Sequence, residues 1–245
     1  MKQMLGSVLV SGALLLSAMT PMVAHAENTS NASTTGDTKV TASFTGSTST
    51  IDPVDPNNPD TSVPGGDGNN GAAAGGGLSL IYVTNQLDFG THQIDVLNAT
   101  TIPANYVDSS DGNNSADTST LWNNKAVFEV SDVRGTNAGW HLDVSAPNNL
   151  KGDDGSIVKG ATLTLGAGTL GHSGADANNV TTAPIADVLD GTSNTLMAAA
   201  AGDGAGVTVD QIDPSNIQLT IPANSVKAQG YTTTLNWNLA DTPQS

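Results

Sequence analysis

The chain contains no cysteine. A disulfide framework, a thiol nucleophile and a cysteine-ligated metal are therefore excluded, and stability has to come from packing. Basic residues are nearly as scarce: 7 Lys and Arg stand against 23 Asp and Glu, a formal net charge of −16. Such a surface opposes nucleic acid and anionic lipid, whose binding relies on Lys and Arg neutralising phosphates. Aromatic side chains are few, three each of Phe, Tyr and Trp. The abundant Thr, Val, Leu and Ala suit a β-sandwich built from small side chains. Long apolar runs are missing too. Val8–Met19 is about a dozen residues, short of the roughly 20 that span a bilayer, and no later stretch approaches it, so no membrane span is expected.

Catalytic constellations are equally thin. His92, His141 and His172 are too scattered for a zinc set. Gly171-His172-Ser173-Gly174 lacks the register and the flanking elements of a nucleophile elbow. Carboxylates are plentiful, yet no pair stands out as the two differing acids a glycosidase needs. No enzyme is expected. Asp108 to Asp117, rich in Asp, Asn and Gly, offers oxygen ligands that calcium accepts, but it does not match the EF-hand loop, and a solvated loop is the plainer reading. Calcium is the one candidate cofactor.

Taken in order, residues 1–26 form a secretory signal. Lys2 gives a positive start, Val8–Met19 an apolar run, and Ala24-His25-Ala26 a small-x-small cleavage site. Cleavage there removes one base and no acid, which takes the charge from −16 to −17. Residues 27–38 are a polar tail expected to be disordered. Lys39–Thr45 alternates well enough for a first strand. Residues 46–77 are a Pro/Gly-rich linker inside a single domain, residues 39–245: stiff through Asp52–Asp60, flexible through Gly65–Gly77. Further strands are expected at Leu78–Val83, Gln86–Phe89, Thr91–Val96, Ala126–Ser131, Gly139–Ser145, Ala161–Leu165, Val207–Val209, Ile217–Ile221 and Thr232–Leu239, separated by Gly, Asn, Asp and Pro turns. Helix is hinted only at Ile185–Leu189 and Asn194–Ala201. The fold class is all-β, a single β-sandwich-like domain with at most short helices and a long Pro/Gly-rich excursion after the first strand. The end of the chain, Asp241–Ser245, carries no sortase sorting signal, so no covalent attachment is expected.

Two stretches carry the same triplet in the same phase. In Tyr231-Thr232-Thr233-Thr234-Leu235-Asn236-Trp237-Asn238-Leu239 the odd positions are largely apolar and the even ones hydroxyl or amide. In Gly139-Trp140-His141-Leu142-Asp143-Val144-Ser145, Trp140, Leu142 and Val144 share one face of a strand, and His141, Asp143 and Ser145 the other. With Asp132-Val133-Arg134-Gly135-Thr136 leading into the first triplet and Ala240-Asp241-Thr242-Pro243 following the second, the sequence resembles the WxL-domain family of cell-surface proteins of low-GC Gram-positive bacteria. Leu78-Ser79-Leu80, Asp88-Phe89-Gly90 and Leu219-Thr220-Ile221-Pro222 agree with the family pattern more weakly.

The resemblance implies a secreted domain held non-covalently on peptidoglycan at the cell surface, often beside other surface proteins. Anionic wall polymers would repel so acidic a chain, so attachment requires contacts to neutral sugar or peptide groups, bridging cations, or acid that protonates carboxylates. The alternative is an adhesin or assembly subunit whose ligand is a host glycan, a matrix protein or a partner surface protein.

The candidate ligand-binding residues are Trp140, Leu142, Trp237, Leu239, Arg134, Asp132, Trp122, Asn236 and Asn238. Either Trp140 or Trp237 could stack on a sugar, or both could be core, since each shares its strand face with Leu. If they are core, the ligand face passes to Thr232, Thr234, Asn236 and Asn238 with His141 and Asp143. Arg134, the one arginine, either holds Asp132 or Asp241 through its bidentate fork or meets a stem-peptide carboxylate. Trp122 is a further candidate platform, or a plug at one end of the sandwich.

Overall fold

A computed structural model describes residues 35–64, 71–108, 124–147, 149–174 and 179–243, with the side chains of 106–108 excepted. The chain divides into two units, up to Ser43 and from Phe44 onward. The described part of the first, residues 35–43, lies in no strand or helix, and every residue in it is exposed.

The second unit is all-β. Its strands, in chain order, are β1 (Val54–Asp55), β2 (Asn58–Ser62), β3 (Leu78–Val83), β4 (Gln86–Asp88), β5 (Thr100–Pro103), β6 (Tyr106–Asp108), β7 (Ala126–Asp132), β8 (Trp140–Ser145), β9 (Lys151–Gly152), β10 (Thr162–Leu165), β11 (Thr169–His172), β12 (Val180–Thr182), β13 (Asn194–Ala199), β14 (Gly206–Ile212), β15 (Ile217–Ile221), β16 (Tyr231–Thr232) and β17 (Asn236–Ala240). Among the described residues the only helical turns are two short 3-10 segments, Val188–Asp190 and Pro214–Asn216.

Two antiparallel four-stranded sheets dominate, ordered β11-β14-β7-β3 and β12-β13-β8-β17. A three-stranded sheet, β10-β15-β5, extends the core beyond them. Strand β8 alternates buried and part-exposed residues along its length, as a strand with one face on a core and one on water must. Its Trp140, Leu142 and Val144 join Phe128 and Val130 of β7, Met197 and Ala199 of β13, and Leu163 and Leu165 of β10 in one cluster. Strand β7 is buried at every residue, because its second face is covered as well. Val127 and Glu129 point there, into a smaller cluster of Val54, Ile81, Tyr82, Val207 and Val209 beneath the β1-β2 hairpin. The Pro-rich Asp52–Asp60 thus folds back on the sandwich. Gln211 Nε2 donates to the Pro56 carbonyl at 2.9 Å, and Val54 N–H donates to Glu129 Oε2 at 2.9 Å.

Four sequence expectations are corrected. Lys39–Thr45 forms no strand: among the described residues it makes no backbone hydrogen bond, and short alternation without a ladder does not hold a strand. Thr91–Val96 is an irregular loop. Asp95 Oδ1 accepts the N–H groups of Leu97 and Asn98, a turn that the backbone prefers to an isolated strand. Asn194–Ala201 supplies β13, for pairing with β8 overrides the helical preference of its alanines. Thr232–Leu239 splits into β16 and β17, with residues 233–235 in neither.

Candidate functional site

The two Trp-x-Leu strands are neighbours. β8 and β17 pair antiparallel, with Leu142 opposite Leu239, Trp237 opposite Val144 and Asn238 opposite Asp143. The triplets therefore meet leucine to leucine, and the tryptophans lie on either side of that pair.

Their fates differ. Trp140 is fully buried, and its Nε1–H donates to the Gly204 carbonyl at 3.0 Å, which satisfies its one polar atom. Gly204 sits at φ +83°, and a Cβ there would overlap the indole and Ala199. Leu142 is also fully buried, between Met197 on β13 and Leu239 on β17. Neither Trp140 nor Leu142 can touch a polymer outside the protein. Leu239 is partly buried against the core. Trp237, also half-buried, packs against Phe128 with ring centroids 4.5 Å apart, tilted by 39°.

Trp237 also ends a groove of about 1330 Å³. Leu150, Leu163, Leu165 and Leu219 supply its apolar floor, while Asp88, Asp95, Lys227 and Thr234 stand among its polar lining. The loop at its mouth is held by Asp95, whose carboxyl is kept below its ordinary value by the hydrogen bonds from Leu97 and Asn98. That loop presents Ile94, Val96 and Leu97 to solvent.

The opposite face of β8 and β17 is polar. Asn236 and Asn238 are exposed, and His141 and Asp143 are half-exposed beside them. Thr195 Oγ1 donates to Asp143 Oδ1 at 2.6 Å and Ser193 Oγ to Oδ2 at 3.2 Å, which fixes the carboxylate. His141 Nδ1 lies 2.7 Å from the Thr242 carbonyl and Nε2 3.7 Å from Asp143 Oδ2. The strip presents amides, a carboxylate and an imidazole at strand spacing.

Arg134 lies in the turn before β8. Its Nε and Nη2 donate to the two Asp132 oxygens at 2.9 and 2.7 Å, and Nη2 also donates to the Gly139 carbonyl at 3.0 Å. Asp132 is buried and Arg134 about one-fifth exposed. The fork closes the turn that delivers Trp140, and the hydrogen bonds it donates to Asp132 push the guanidinium pKa up and hold it charged. Trp122 and the Asp-rich run after Asp108 lie outside the described residues.

Two buried acids escaped the sequence reading. Glu129 is fully buried on β7, with Oε1 unpaired, and burial pushes its pKa up to about 8. Asp210 on β14 is pushed up to about 6 by burial, although Thr182 Oγ1 donates to its Oδ2 at 2.7 Å. A glutamate inside Ala126-Val127-Phe128-Glu129-Val130 was the available signal.

Residues 31–243 match the family described as WxL domain surface cell wall-binding. The chain belongs to that family. No match was found among curated proteins or solved structures. The WxL domain thus spans nearly all of the chain and supports a place at the cell surface bound to the wall. Its defining triplets supply buried Trp140 and Leu142 together with part-exposed Trp237 and Leu239, so the motif builds the sheet as much as it marks a surface.

Proposed function

We propose that this WxL domain acts as an exported binding protein rather than an enzyme, and that it attaches to peptidoglycan through the outer face of β8 and β17. The observation that carries the reading is the register that sets exposed Asn236 and Asn238 beside Asp143 and His141. Amide groups donate to and accept from sugar hydroxyl and acetamido groups, and a carboxylate already fixed by Ser193 and Thr195 accepts without reordering. Neutral glycan is the wall component that a net charge of −16 does not repel.

The test is co-sedimentation with purified peptidoglycan stripped of teichoic acids, at pH 5 and pH 7. An Asn236→Ala/Asn238→Ala double variant is expected to lose most of the binding at unchanged melting temperature, since both side chains are exposed. Absence of sedimentation by the wild-type chain at both pH values overturns direct attachment.

A further inference from the structure

The segment Lys39–Thr45 has the pattern of a strand and, among the described residues, no strand paired with it. Val40, Ala42 and Phe44 fall on one face and Thr41, Ser43 and Thr45 on the other. Val40 is 87% exposed and Phe44 94% exposed, and residues 39–45 make no hydrogen bond among the described residues. An alternating apolar segment held out in water is unfavourable unless something covers it.

The residues just after the segment are anchored. Ser47 N–H donates to the Val133 carbonyl at 2.9 Å, and Gly46 lies so close to the Arg134 backbone that a Cβ there would overlap its carbonyl. Residues 46–47 are thus fastened beside the Arg134 turn, while the residues before them are unpaired.

The same molecule carries the complementary defect. β17 is an edge strand, paired with β8 on one side and with nothing among the described residues on the other. The groove beside Trp237 has an aliphatic floor that belongs to the core, which is what a sandwich shows where a strand is missing. A smaller cavity beside β17 is lined by Leu78, Leu80 and Leu239 together with Arg134, Asn238 and Asp241.

We propose that Lys39–Thr45 of one copy adds as a strand to the open edge of β17 in a second copy, so that the chains assemble head to tail. At about 3.3 Å per residue the segment reaches about 20 Å, longer than β17 itself. Both faces match: Val40, Ala42 and Phe44 enter the groove and cavity, and Thr41, Ser43 and Thr45 continue the polar face of Asn236 and Asn238. Main-chain hydrogen bonds give the affinity and the alternate apolar side chains the selectivity, as in other strand additions. The groove and the donor are different surfaces, so each copy that gives a strand can also receive one, and the contact propagates as an open chain. Two bodies of charge −16 repel, and a slender donor whose own charged residue is Lys39 lets them join at a distance.

The chain's lack of cysteine makes the test clean. Separate Phe44→Cys and Leu235→Cys proteins are mixed under mild oxidation, with sedimentation velocity of the wild type at rising concentration beside them. Expected results are a cross-linked heterodimer from the mixture and concentration-dependent assembly of the wild type. Phe44→Asp, at an exposed position, should leave the melting temperature unchanged and weaken assembly about tenfold or more, the scale of one lost buried Phe. A synthetic peptide of residues 38–46 should bind the Phe44→Asp protein. A wild type that stays monomeric at every concentration, with no heterodimer from the mixture, overturns the proposal. So does cross-linking confined within single chains of a double-cysteine variant, which would mean that the segment closes on its own domain. Phe44→Asp keeps its sedimentation with peptidoglycan, so failure of assembly and failure of wall binding read out separately.

Discussion

Leu142 and Leu239 stand directly opposite one another in the β8-β17 ladder. One leucine from each triplet thereby fixes the register of the edge strand, and a slip by one residue would turn Trp237 and Leu239 to solvent and Asn236 and Asn238 to the core. The fully buried Trp140 and the half-buried Trp237 should accordingly respond differently to substitution.

Trp140→Ala should lower unfolding free energy by about 3 to 5 kcal/mol, as for other large side chains removed from a packed core. Trp140→Phe keeps much of the volume but strips the Gly204 carbonyl of its donor, for a loss of about 1 to 3 kcal/mol. Trp237→Ala, at a half-buried edge position, should cost less than Trp140→Ala. Urea denaturation of the three variants checks the order.

Gly204→Ala should destabilise the domain by about as much as Trp140→Phe or more, because the added Cβ needs a left-handed backbone and meets the indole. A melt as stable as wild type would show that the Trp140 pocket yields more easily than its packing suggests.

Arg134→Lys retains the charge and loses the fork. The buried Asp132 carboxylate then has one partner where it had two, and stability should fall by about 1 to 3 kcal/mol. Arg134→Ala leaves that buried carboxylate without a countercharge, held only by the backbone N–H of residue 134, and should cost about 3 to 5 kcal/mol. Thermal melts at pH 7 distinguish the two.

Stability should fall as pH rises through neutrality. The Glu129 pKa is raised from 4.5 to about 8 in the fold, so between those values the unfolded chain has released a proton that the folded chain keeps. Its contribution is whole below pH 4.5 and gone above about 8. Asp210 acts in the same sense between 3.8 and about 6. Exposed Asp95, Asp154 and Asp213, whose values are lowered by hydrogen bonds, act in the opposite sense, and their contribution is lost only below about pH 4. Unfolding free energies at pH 5, 7 and 9 should descend in that order, and Glu129→Gln should flatten the slope.

Much of this fold was legible where side chains alternate. Ile217–Ile221 and the strand holding Trp140 read correctly because period-two patterning records which face is buried, whereas Leu78–Val83 read correctly as a short apolar run whose burial does not alternate. Strand β7, buried on both faces, was legible as a strand, but its second cover, a hairpin rich in Pro and Asp, was not. β13 looked helical because Ala198 to Ala201 carry local propensity and no trace of their cross-strand partners. The candidate site divided along the same line. Alternation identified the polar face of Asn236, Asn238, His141 and Asp143, but pairing of the two triplets depends on contacts far apart in sequence, and the groove exists only where several strands end together.

Trp140 and Trp237 also give the domain two optical reporters in different surroundings. Trp140, dry and bonded to Gly204, emits as a buried indole for as long as the sheet persists; Trp237, half in water at the mouth of the groove, responds to whatever fills it. In a Trp122→Phe background, a blue shift confined to the redder component signals occupancy, and a red shift of the bluer one signals loss of the fold.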